Sequence, residues 1–359
     1  MSRFDVAIVG AGIAGAGLAA ELAPHASVLL LEAEDQPGYH ATGRSAAFWS
    51  ETYGGPFVQP LTSASGPWLR AHDLLKPRGE LHIARAHEVE QLDRLADEFE
   101  GRVALERWPA ERVRHWLPDL SAEWVAALWM PSCTDIDVAG AHQLFLKTAR
   151  QGGAVLRCSA PLTSAERAGD RWRLQAGSES IEAAVLVDAA GAWADPVAVL
   201  AGAPPIGIQP YRRTVVQVEA EPPAPTDLPV VLAADGSFYF KPEAGGRLWI
   251  SPHDETPAEP GDAQPEEIDV AIAIDRFEQA THWRIRHVER RWAGLRSFTP
   301  DRLPVYGFDP AAPGLFWCAG QGGFGIQTAP AASRMAARLL LGRPVAEIDP
   351  APYLPDRFR

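Results

Sequence analysis

Three glycines near the N-terminus constrain the fold of this chain more than any other sequence feature. They are Gly10, Gly12 and Gly15. An apolar run at residues 4–9 precedes them and predicts a strand, whereas the alanine- and leucine-rich segment at residues 13–22 predicts a helix. Pro24 ends this helix, and a second apolar run at residues 27–31 predicts another strand. Two strands joined by a helix are typical of a βαβ unit with a parallel strand pair.

The spacing of the glycines, GxGxxG, is typical of a loop that binds the pyrophosphate of a dinucleotide. Gly10 permits a tight turn, Gly12 lets the backbone approach a phosphate, and Gly15 lets the helix pack closely on the sheet. The free N–H groups at the helix N-terminus attract the phosphates. Glu32 lies twenty residues after Gly12, where a carboxylate accepts hydrogen bonds from a ribose diol and repels a 2′-phosphate. The motif therefore predicts FAD or NAD and disfavours NADP.

The composition restricts the class of protein further. The chain has 359 residues, of which 47% are hydrophobic and 22% charged, the balance of a soluble globular protein. The net charge of −13 and the lack of a Lys/Arg-rich run argue against nucleic-acid binding. Three scattered cysteines and ten histidines have no metal-ligand spacing, so that no metal is expected. The apolar run from residue 6 consists mostly of Gly and Ala, which disfavours a signal peptide or membrane insertion and predicts a cytoplasmic protein.

The rest of the chain alternates between nucleotide-like and β-rich segments. Residues 34–67 are rich in Gly, Pro, Ser and aromatic residues and predict a long ordered loop rather than a helix. Helices are expected at residues 89–102, 141–150 and 268–280, with a C-terminal helix ending near residue 341. Strands are expected at residues 181–188, 213–218, 237–241 and 315–318. The pattern predicts an α/β nucleotide domain assembled from separate segments, with an inserted antiparallel-sheet domain.

A second glycine-rich turn lies near the C-terminal end of the chain. Residues 320–325 read GQGGFG and follow the apolar run at residues 315–318. Backbone N–H groups in such a turn can approach another polar part of a cofactor, which favours FAD over NAD. The alternative interpretation is a loop that only leads into a helix.

Several ordered motifs resemble the D-amino-acid oxidase superfamily of FAD-dependent oxidoreductases. Besides the first glycine motif they are ATGRSAAFW at 41–49, VLVDAAGAW at 185–193, GLRSFTPD at 294–301 and AGQGGFGIQT at 319–328. The segments QPGYH and WAGLRSF are most similar to bacterial FAD-dependent D-arginine dehydrogenases, a branch of D-amino acid dehydrogenases. The resemblance implies a two-domain α/β (α+β) fold, with a Rossmann-like FAD-binding domain built from discontinuous segments and an antiparallel-sheet substrate domain.

The resemblance also implies a division into domains and a set of cofactor contacts. The FAD-binding domain would comprise residues 1–80, 135–205 and 290–359, and the substrate-binding domain residues 81–134 and 206–289. Residues expected to contact FAD are Gly10, Gly12, Ile13, Ala14, Gly15, Glu32, Gly43, Arg44, Ser45, Ala46, Ala190, Gly191, Trp193, Gly322, Gly323, Gly325, Ile326, Gln327 and Thr328. Some members attach flavin through a cysteine near the position of Gly294 and Leu295. No cysteine lies there, so that non-covalent FAD is expected.

Four residues are implied by the resemblance to hold the carboxylate of a substrate. Arg213 and Arg296 would pair with the carboxylate, since guanidinium groups form forked hydrogen bonds to carboxylates and keep their charge. Tyr53 and Tyr239 would add hydroxyl donors. The alternative interpretation is that Arg213 and Arg296 form structural ion pairs.

Three further residues bear on substrate specificity. Glu80 aligns with a glutamate that recognises a cationic side chain in the related dehydrogenases, although a solvated surface glutamate is the alternative. Phe48 replaces a histidine of those relatives, which indicates a more apolar pocket and puts arginine specificity in doubt. Gly323 matches a glycine whose carbonyl lies near the substrate amine.

These features predict FAD-dependent oxidative deamination of a D-amino acid. A hydride would leave the α-carbon for the flavin, and the imine would be hydrolysed to a 2-oxo acid and ammonia. Three alternatives stay open: oxidation of another small carboxylate such as an N-methyl amino acid, an imino acid or a 2-hydroxy acid; an FAD-binding protein without turnover; and an NAD-dependent dehydrogenase. The electron acceptor is open between oxygen, a quinone and another molecule.

Overall fold

A computed structural model describes residues 2–359 of the chain. The strands are β1 (Ser2–Val9), β2 (Val28–Leu31), β3 (Phe48–Trp49), β4 (Leu75–Pro77), β5 (Glu80–Arg85), β6 (Glu106–Pro109), β7 (Trp124–Met130), β8 (Thr134–Ile136), β9 (Val155–Arg157), β10 (Leu162–Ala168), β11 (Arg171–Ala176), β12 (Glu179–Asp188), β13 (Gln209–Glu221), β14 (Val230–Ala233), β15 (Tyr239–Glu243), β16 (Arg247–Ser251), β17 (Thr256–Pro257), β18 (Arg284–Phe298), β19 (Val305–Phe308), β20 (Leu315–Ala319) and β21 (Gln321–Gly322). The α-helices are α1 (Ile13–Leu22), α2 (Gln59–Ala71), α3 (Val89–Glu98), α4 (Ala110–Trp116), α5 (Val138–Gln151), α6 (Ala194–Leu200), α7 (Glu267–Thr281) and α8 (Gly325–Leu340).

The first βαβ unit forms as the sequence predicts. β1 lies parallel to β2, with Val6 opposite Val28, and α1 has the predicted bounds. Small residues dominate α1, so that its backbone approaches the sheet closely and most of the helix is buried. β2 is buried at every position, which explains its unbroken apolar sequence, because a central parallel strand is covered on both faces.

The first large sheet contains this unit and has the strand order β10-β11-β12-β1-β2-β9. β12 changes partner along its length: its N-terminal half is antiparallel to β11, whereas Leu186 to Asp188 run parallel to β20. β20 in turn pairs with β19. Helices α1, α5 and α8 contribute buried side chains to the core on one face of this sheet. This sheet therefore brings the turns after β1, β12 and β20 close together, since the C-terminal ends of parallel strands share one edge.

The second large sheet has the order β21-β18-β13-β16-β15-β14-β5-β7-β6, with β17 paired to β13. Its neighbouring strands are antiparallel except for β14 and β5. The long strands β13 and β18 form its longest pair, near one edge, and α7 packs Phe277 against Phe240 of β15. The sheet supplies the antiparallel part of the fold that the sequence predicts.

A small sheet of order β3-β8-β4 joins the segment before α2 to the second large sheet. Asp135 on β8 accepts hydrogen bonds from the Nζ of Lys241 on β15, at 3.0 Å, and from Arg78, at 2.6 Å. These buried ion pairs fix β3, which carries Phe48, relative to the second large sheet.

Most predicted elements are confirmed, with small shifts at their ends. The segments predicted at residues 141–150, 268–280, 181–188, 213–218 and 315–318 lie within α5, α7, β12, β13 and β20. The predicted helix after residue 89 ends earlier than expected, at the end of α3, and β15 begins two residues later than predicted. The predicted boundary at residue 290 falls inside β18, and the division into two domains stays a prediction.

The structure corrects the prediction of an uninterrupted loop over residues 34–67, because α2 begins at Gln59. Pro60 lies in the first turn of this helix, where its missing N–H has no intrahelical partner to lose. Packing on α8 stabilises the helix despite its small polar residues: the Ser65 hydroxyl donates to the Leu61 carbonyl at 2.8 Å and accepts from the Ala331 N–H at 3.0 Å. Local propensity predicted a loop because these tertiary contacts are distant in sequence.

Among residues 2–359, no helix combines the length and the apolar character needed to cross a bilayer.

Candidate active site

One cavity connects the glycine-rich turns with the two arginines predicted to bind a carboxylate. It has a volume of about 480 Å³ and is lined by residues of both large sheets. The lining includes Gly12 at the start of α1, Glu32 after β2, Arg213 on β13 and Arg296 on β18. The chain thus brings the predicted dinucleotide motif and the predicted carboxylate site into one space.

Gly10, Gly12 and Gly15 form the glycine cradle, in which Gly10 and Gly15 cannot be replaced by a larger residue without moving the backbone. Gly10 has φ of +100°, and a Cβ there would lie 2.4 Å from the carbonyl oxygen of Ala189. A Cβ on Gly15 would lie 2.0 Å from the carbonyl oxygen of Gly10. Both neighbours are main-chain atoms, which cannot swing away as a flexible side chain can.

The N-terminus of α1 faces the cavity with its N–H groups partly satisfied by side chains. The Ala11 N–H donates to the Glu32 carboxylate at 3.0 Å, and the Ile13 N–H donates to the Thr42 hydroxyl at 3.0 Å. The His142 ring bonds the Ala11 carbonyl at 2.8 Å and braces the loop from behind. The positive end of the helix dipole and the buried Glu32 carboxylate therefore border the same space, an arrangement that suits phosphates beside a sugar diol.

Tyr53, Arg213, Tyr239 and Arg296 form the arginine cluster. The two arginines are more than nine-tenths buried, on adjacent antiparallel strands. An Nη1 hydrogen of Arg296 is donated to the Tyr53 hydroxyl at 3.1 Å. The Arg213 guanidinium donates to the Asp254 carbonyl at 2.9 Å and to the His253 carbonyl at 3.4 Å. All four side chains line the cavity.

The arginine cluster carries positive charge in a poorly solvated place. Burial, together with the nearby Arg296, lowers the pKa of Arg213 to about 10. The guanidinium is therefore still protonated at neutral pH. Burial alone would raise the pKa of Tyr53, but the charges of Arg296 and Arg213 outweigh it and lower the pKa. Glu255 pairs with Arg296 at 2.6 Å but is shared with Arg302 at 2.9 Å. The cluster is thus suited to an anionic partner.

The family to which the chain belongs follows from comparison with known proteins. Residues 5–339 match the model of the DAO family, described as FAD dependent oxidoreductase. The chain belongs to this family of FAD-dependent oxidoreductases. The predicted superfamily and the predicted FAD cofactor are therefore confirmed, and the cofactor is FAD rather than NAD.

Relatives of this FAD-dependent oxidoreductase are distant in sequence and close in fold. Glycine oxidase of Pseudomonas aeruginosa is 26% identical over 382 residues, which cover 98% of each chain. FAD-dependent oxidoreductase domain-containing protein 1 of Bos taurus is 29% identical over 203 residues, and the match spans 50% of this chain and 40% of the cattle protein. The crystal structure of glycine oxidase from Geobacillus kaustophilus has a TM-score of 0.85 at 24% identity, covering 99% of this chain and 98% of its own. That structural likeness confirms the predicted mixed α/β fold.

The residues of the cavity fit FAD. The backbone of the glycine cradle packs closely at the N-terminus of α1, where Gly10 and Gly12 line the cavity, and Glu32 lies where it can accept from a diol. Gly322 and Gly325 line the same cavity in the second glycine-rich turn. Bound FAD would be held by these backbone groups. Arg44 also lines the cavity and fastens its loop through hydrogen bonds to the Ala263 and Ala293 carbonyls at 2.8 and 3.2 Å.

Not every residue predicted to contact FAD lines the cavity. Those that do are Gly10, Gly12, Ile13, Ala14, Glu32, Arg44, Ser45, Ala46, Ala190, Gly191, Trp193, Gly322, Gly323, Gly325 and Ile326. Gly15, Gly43, Gln327 and Thr328 lie outside the lining. The Gln327 amide instead fastens the loop that carries Tyr53, since it donates to the Ser50 carbonyl at 3.1 Å and to the Tyr53 carbonyl at 3.2 Å. The Thr328 hydroxyl donates back to the Phe324 carbonyl within α8.

The three residues predicted to bear on specificity are not brought together. Phe48 lines the cavity, with its ring centroid 6.4 Å from that of Tyr53 and 6.1 Å from that of Tyr239. Gly323 also lines it, and a Cβ there would lie 2.1 Å from the Tyr53 hydroxyl. Glu80 does not line it: the carboxylate is buried and bonds the His82 ring at 2.5 Å. One oxygen of the Glu80 carboxylate is thus already in contact with a histidine two residues along the strand.

Sequence reasoning missed His253, a cavity residue. The histidines were expected to be solvated or structural, because no spacing among them suggests a ligand set. His253 lines the cavity beside Tyr239, at 5.8 Å between ring centroids. Its place depends on the turn between β16 and β17, for which the sequence carries no motif.

Proposed function

We propose that this chain oxidises the bond between the α-carbon and the nitrogen of a small amino acid. The observation that carries the proposal is the arginine cluster: two buried guanidinium groups and two tyrosines line the cavity that Gly10 and Gly12 also line. The likeness to glycine oxidase supports an amino-acid-like substrate. N-substituted amino acids belong to the same proposed class, because they carry the same carboxylate.

The carboxylate of the substrate would be held by Arg296 and Arg213. Arg296 already directs Nη1 to Tyr53, and its buried Nε has no hydrogen-bond partner among residues 2–359. An unsatisfied buried donor costs free energy that an arriving carboxylate can recover. The Tyr53 hydroxyl, whose pKa is lowered by the two arginines, would add a further hydrogen-bonding group for the carboxylate.

The chain would supply binding and orientation rather than redox chemistry. Bound FAD supplies the acceptor for the two electrons that leave the substrate. The arginine cluster would fix the carboxylate and thereby the α-carbon, while the cavity walls exclude water. The imine that results would be hydrolysed by water to a 2-oxo acid and ammonia, or to a 2-oxo acid and the corresponding amine where the substrate is N-substituted.

The side chain of the substrate would be small or apolar, and D-configured where it is chiral. Phe48 and Leu232 line the cavity next to Tyr239, whereas Glu80 lies outside the lining and already has His82 as its partner. These contacts support an uncharged side chain over the guanidinium of D-arginine. The motifs shared with D-amino acid dehydrogenases support the D-enantiomer.

The first test is anaerobic reduction of the FAD-loaded protein, followed by its visible absorbance. The panel contains glycine, N-methylglycine, both enantiomers of alanine and phenylalanine, D-arginine and 2-hydroxypropanoate. We expect bleaching by glycine or N-methylglycine and by D-alanine or D-phenylalanine, but not by L-enantiomers or D-arginine. Bleaching by 2-hydroxypropanoate alone, or by none of the panel, would contradict the proposed reaction.

The carboxylate clamp is tested by Arg296→Met with Arg302→Met as its matched control. Both arginines pair with Glu255, but only Arg296 lines the cavity. Loss of a charge-assisted hydrogen bond, worth about 1.5–3 kcal/mol, should lower kcat/KM by about 10- to 150-fold in Arg296→Met. Arg302→Met should retain kcat/KM, and both variants should retain FAD. Equal kcat/KM in the Arg296 variant and the wild type would refute the clamp.

A further inference from the structure

The backbone at His253 is held in a conformation that needs a reason. Its φ is +55°, in the left-handed region that residues other than glycine seldom occupy. The His253 N–H donates to the Ser251 hydroxyl at 3.1 Å, and its carbonyl accepts from Arg213 at 3.4 Å. Arg276 donates to the preceding Pro252 carbonyl at 2.8 Å. Glycine would adopt this conformation without strain, so that the presence of a histidine points to a use for its ring.

The hydrogen bonds of the ring define which nitrogen carries the proton. Nδ1 lies 2.5 Å from the Gly236 carbonyl oxygen. A carbonyl can only accept, so that Nδ1 is the donor and Nε2 of the neutral ring has a free lone pair. Nε2 has no hydrogen-bond partner in the described part of the chain, and the ring lines the cavity. The cavity therefore contains an acceptor beside the donors of the arginine cluster.

The charges around His253 keep its ring neutral. Arg213 on β13, Arg296 on β18, Tyr239 on β15 and Glu255 in the following segment are the titratable groups that face it. Burial and the charge of Arg213 lower the pKa of His253 to about 3. At neutral pH the ring is thus an acceptor and not a third cation, which would repel an ammonium group.

We propose that Nε2 of His253 accepts a hydrogen bond from the amino group of the substrate while the arginine cluster holds its carboxylate. The inference rests on the proposed function and adds to it the residue that selects for an amine. An α-amino acid carries an anionic carboxylate and a cationic ammonium group on the same α-carbon. The cluster offers donors to the first, and the neutral histidine offers a lone pair to the second. His253 is thus a specificity-determining residue for substrates that carry an N–H.

Paired ligands measure this selectivity without turnover. 2-Aminoisobutyrate has no hydrogen on its α-carbon and cannot be oxidised there, and pivalate differs from it by a methyl group in place of the ammonium group. Kd values for the two ligands are measured by titration calorimetry on the FAD-loaded protein at pH 8. Acetate against glycine is the smaller pair, with the glycine Kd taken from the saturation of anaerobic bleaching.

Two substitutions separate the acceptor from the structural role of His253. Asn tolerates the left-handed conformation and keeps an N–H near the position of Nδ1, but has nothing at Nε2. Gln places an amide oxygen near the position of Nε2. We expect the wild type to prefer 2-aminoisobutyrate to pivalate by about 10-fold or more, His253→Asn to lose most of that ratio, and His253→Gln to keep part of it. Pivalate binding should be equal in all three, and FAD content should be unchanged.

Each other outcome has a defined meaning. An unchanged ratio in His253→Asn, or an equal loss for both ligands, would overturn the role of His253 as the acceptor. The role of His253 would also be overturned if the wild type bound neither 2-aminoisobutyrate more tightly than pivalate nor glycine more tightly than acetate. Arg296→Met tests the proposed function separately, because it should weaken pivalate and acetate, which do not involve Nε2. If it does not, the clamp fails whatever the histidine variants show.

Discussion

Gly10 and Gly12 of the glycine cradle line the same cavity as the arginine cluster, but the two sites are built in opposite ways. The cradle consists of main-chain atoms within six consecutive residues, and its shape follows from the absence of side chains. The cluster consists of side chains from β13, β15, β18 and the loop before α2, and Tyr53 and Arg296 are separated by 243 residues. A site made of backbone is intolerant of substitution and recognisable from a short motif. A site made of side chains can be tuned residue by residue and is visible only once the sheet has formed.

The two sites also differ in how they respond to substitutions and to changes in charge. A Cβ on Gly10 or Gly15 would overlap main-chain atoms, which have nowhere to move. In the cluster, charge is balanced by groups that are partly exposed, such as Glu255. Three experiments sharpen this contrast.

The largest effect is expected from Gly15→Ala. The added Cβ would lie 2.0 Å from the Gly10 carbonyl oxygen, so that the turn or the helix must shift, at a cost of about 3 kcal/mol. We expect loss of most bound FAD and a lower Tm, measured by absorbance and calorimetry. Gly101→Ala is the control, since Gly101 has φ of +70° but no atom within 4 Å of the added carbon. It should cost about 1 kcal/mol and leave FAD bound. Equal FAD content in both variants would mean that the cradle adapts.

A smaller effect is expected from acid, through one buried histidine on each side. His142 braces the cradle and His253 borders the cluster, and burial lowers the pKa of both, that of His253 to about 3. A histidine with a lowered folded-state pKa binds fewer protons when folded. Its stabilising contribution is therefore complete above the unfolded-state pKa of about 6.5 and is lost as the pH falls below it.

The comparison of His253→Asn with His142→Asn tests which side is the more sensitive to acid. We expect the Tm of the wild type to fall between pH 6.5 and pH 4.5. The fall for His253→Asn should be smaller than that of the wild type by about 2 °C or more. The gain in Tm at low pH should be smaller for His142→Asn than for His253→Asn, because no arginine is among the groups that shift the pKa of His142. Parallel curves for the wild type and both variants would show that neither histidine carries the acid sensitivity.

The smallest effect is expected from Glu255→Gln. This change removes a negative charge from Arg296 while keeping a hydrogen-bond acceptor, so that the carboxylate of the substrate meets less competition. Because the Glu255 side chain is 38% exposed and partly screened by solvent, KM should fall by only about 2- to 5-fold at low ionic strength, with a smaller change in high salt. Glu259→Gln, an exposed position of the same segment, is the control. A raised KM would mean that Glu255 serves mainly to position Arg296.

The predictions were most accurate for features that depend on residues close together in the sequence. The glycine spacing, α1 and the FAD requirement were correct, because a turn, a helix and a phosphate cradle depend on residues in close succession. They failed where distant contacts override local preference. α2 was missed since α8 stabilises it. The role of Glu80 in binding a substrate stays a prediction, although its carboxylate lies outside the cavity lining and bonds the His82 ring.

By itself the sequence determined the nucleotide-binding βαβ unit, the family and the cofactor, since backbone shape follows from where glycine is allowed and where it is not. Only the tertiary structure decided that Tyr53, Arg213 and Arg296 share one cavity and that the lone pair of His253 is left free beside them. The physical reason is that side-chain charges act through distances in space. Those distances are fixed by the register of β13 against β18 and by the fastening of the loops that flank them.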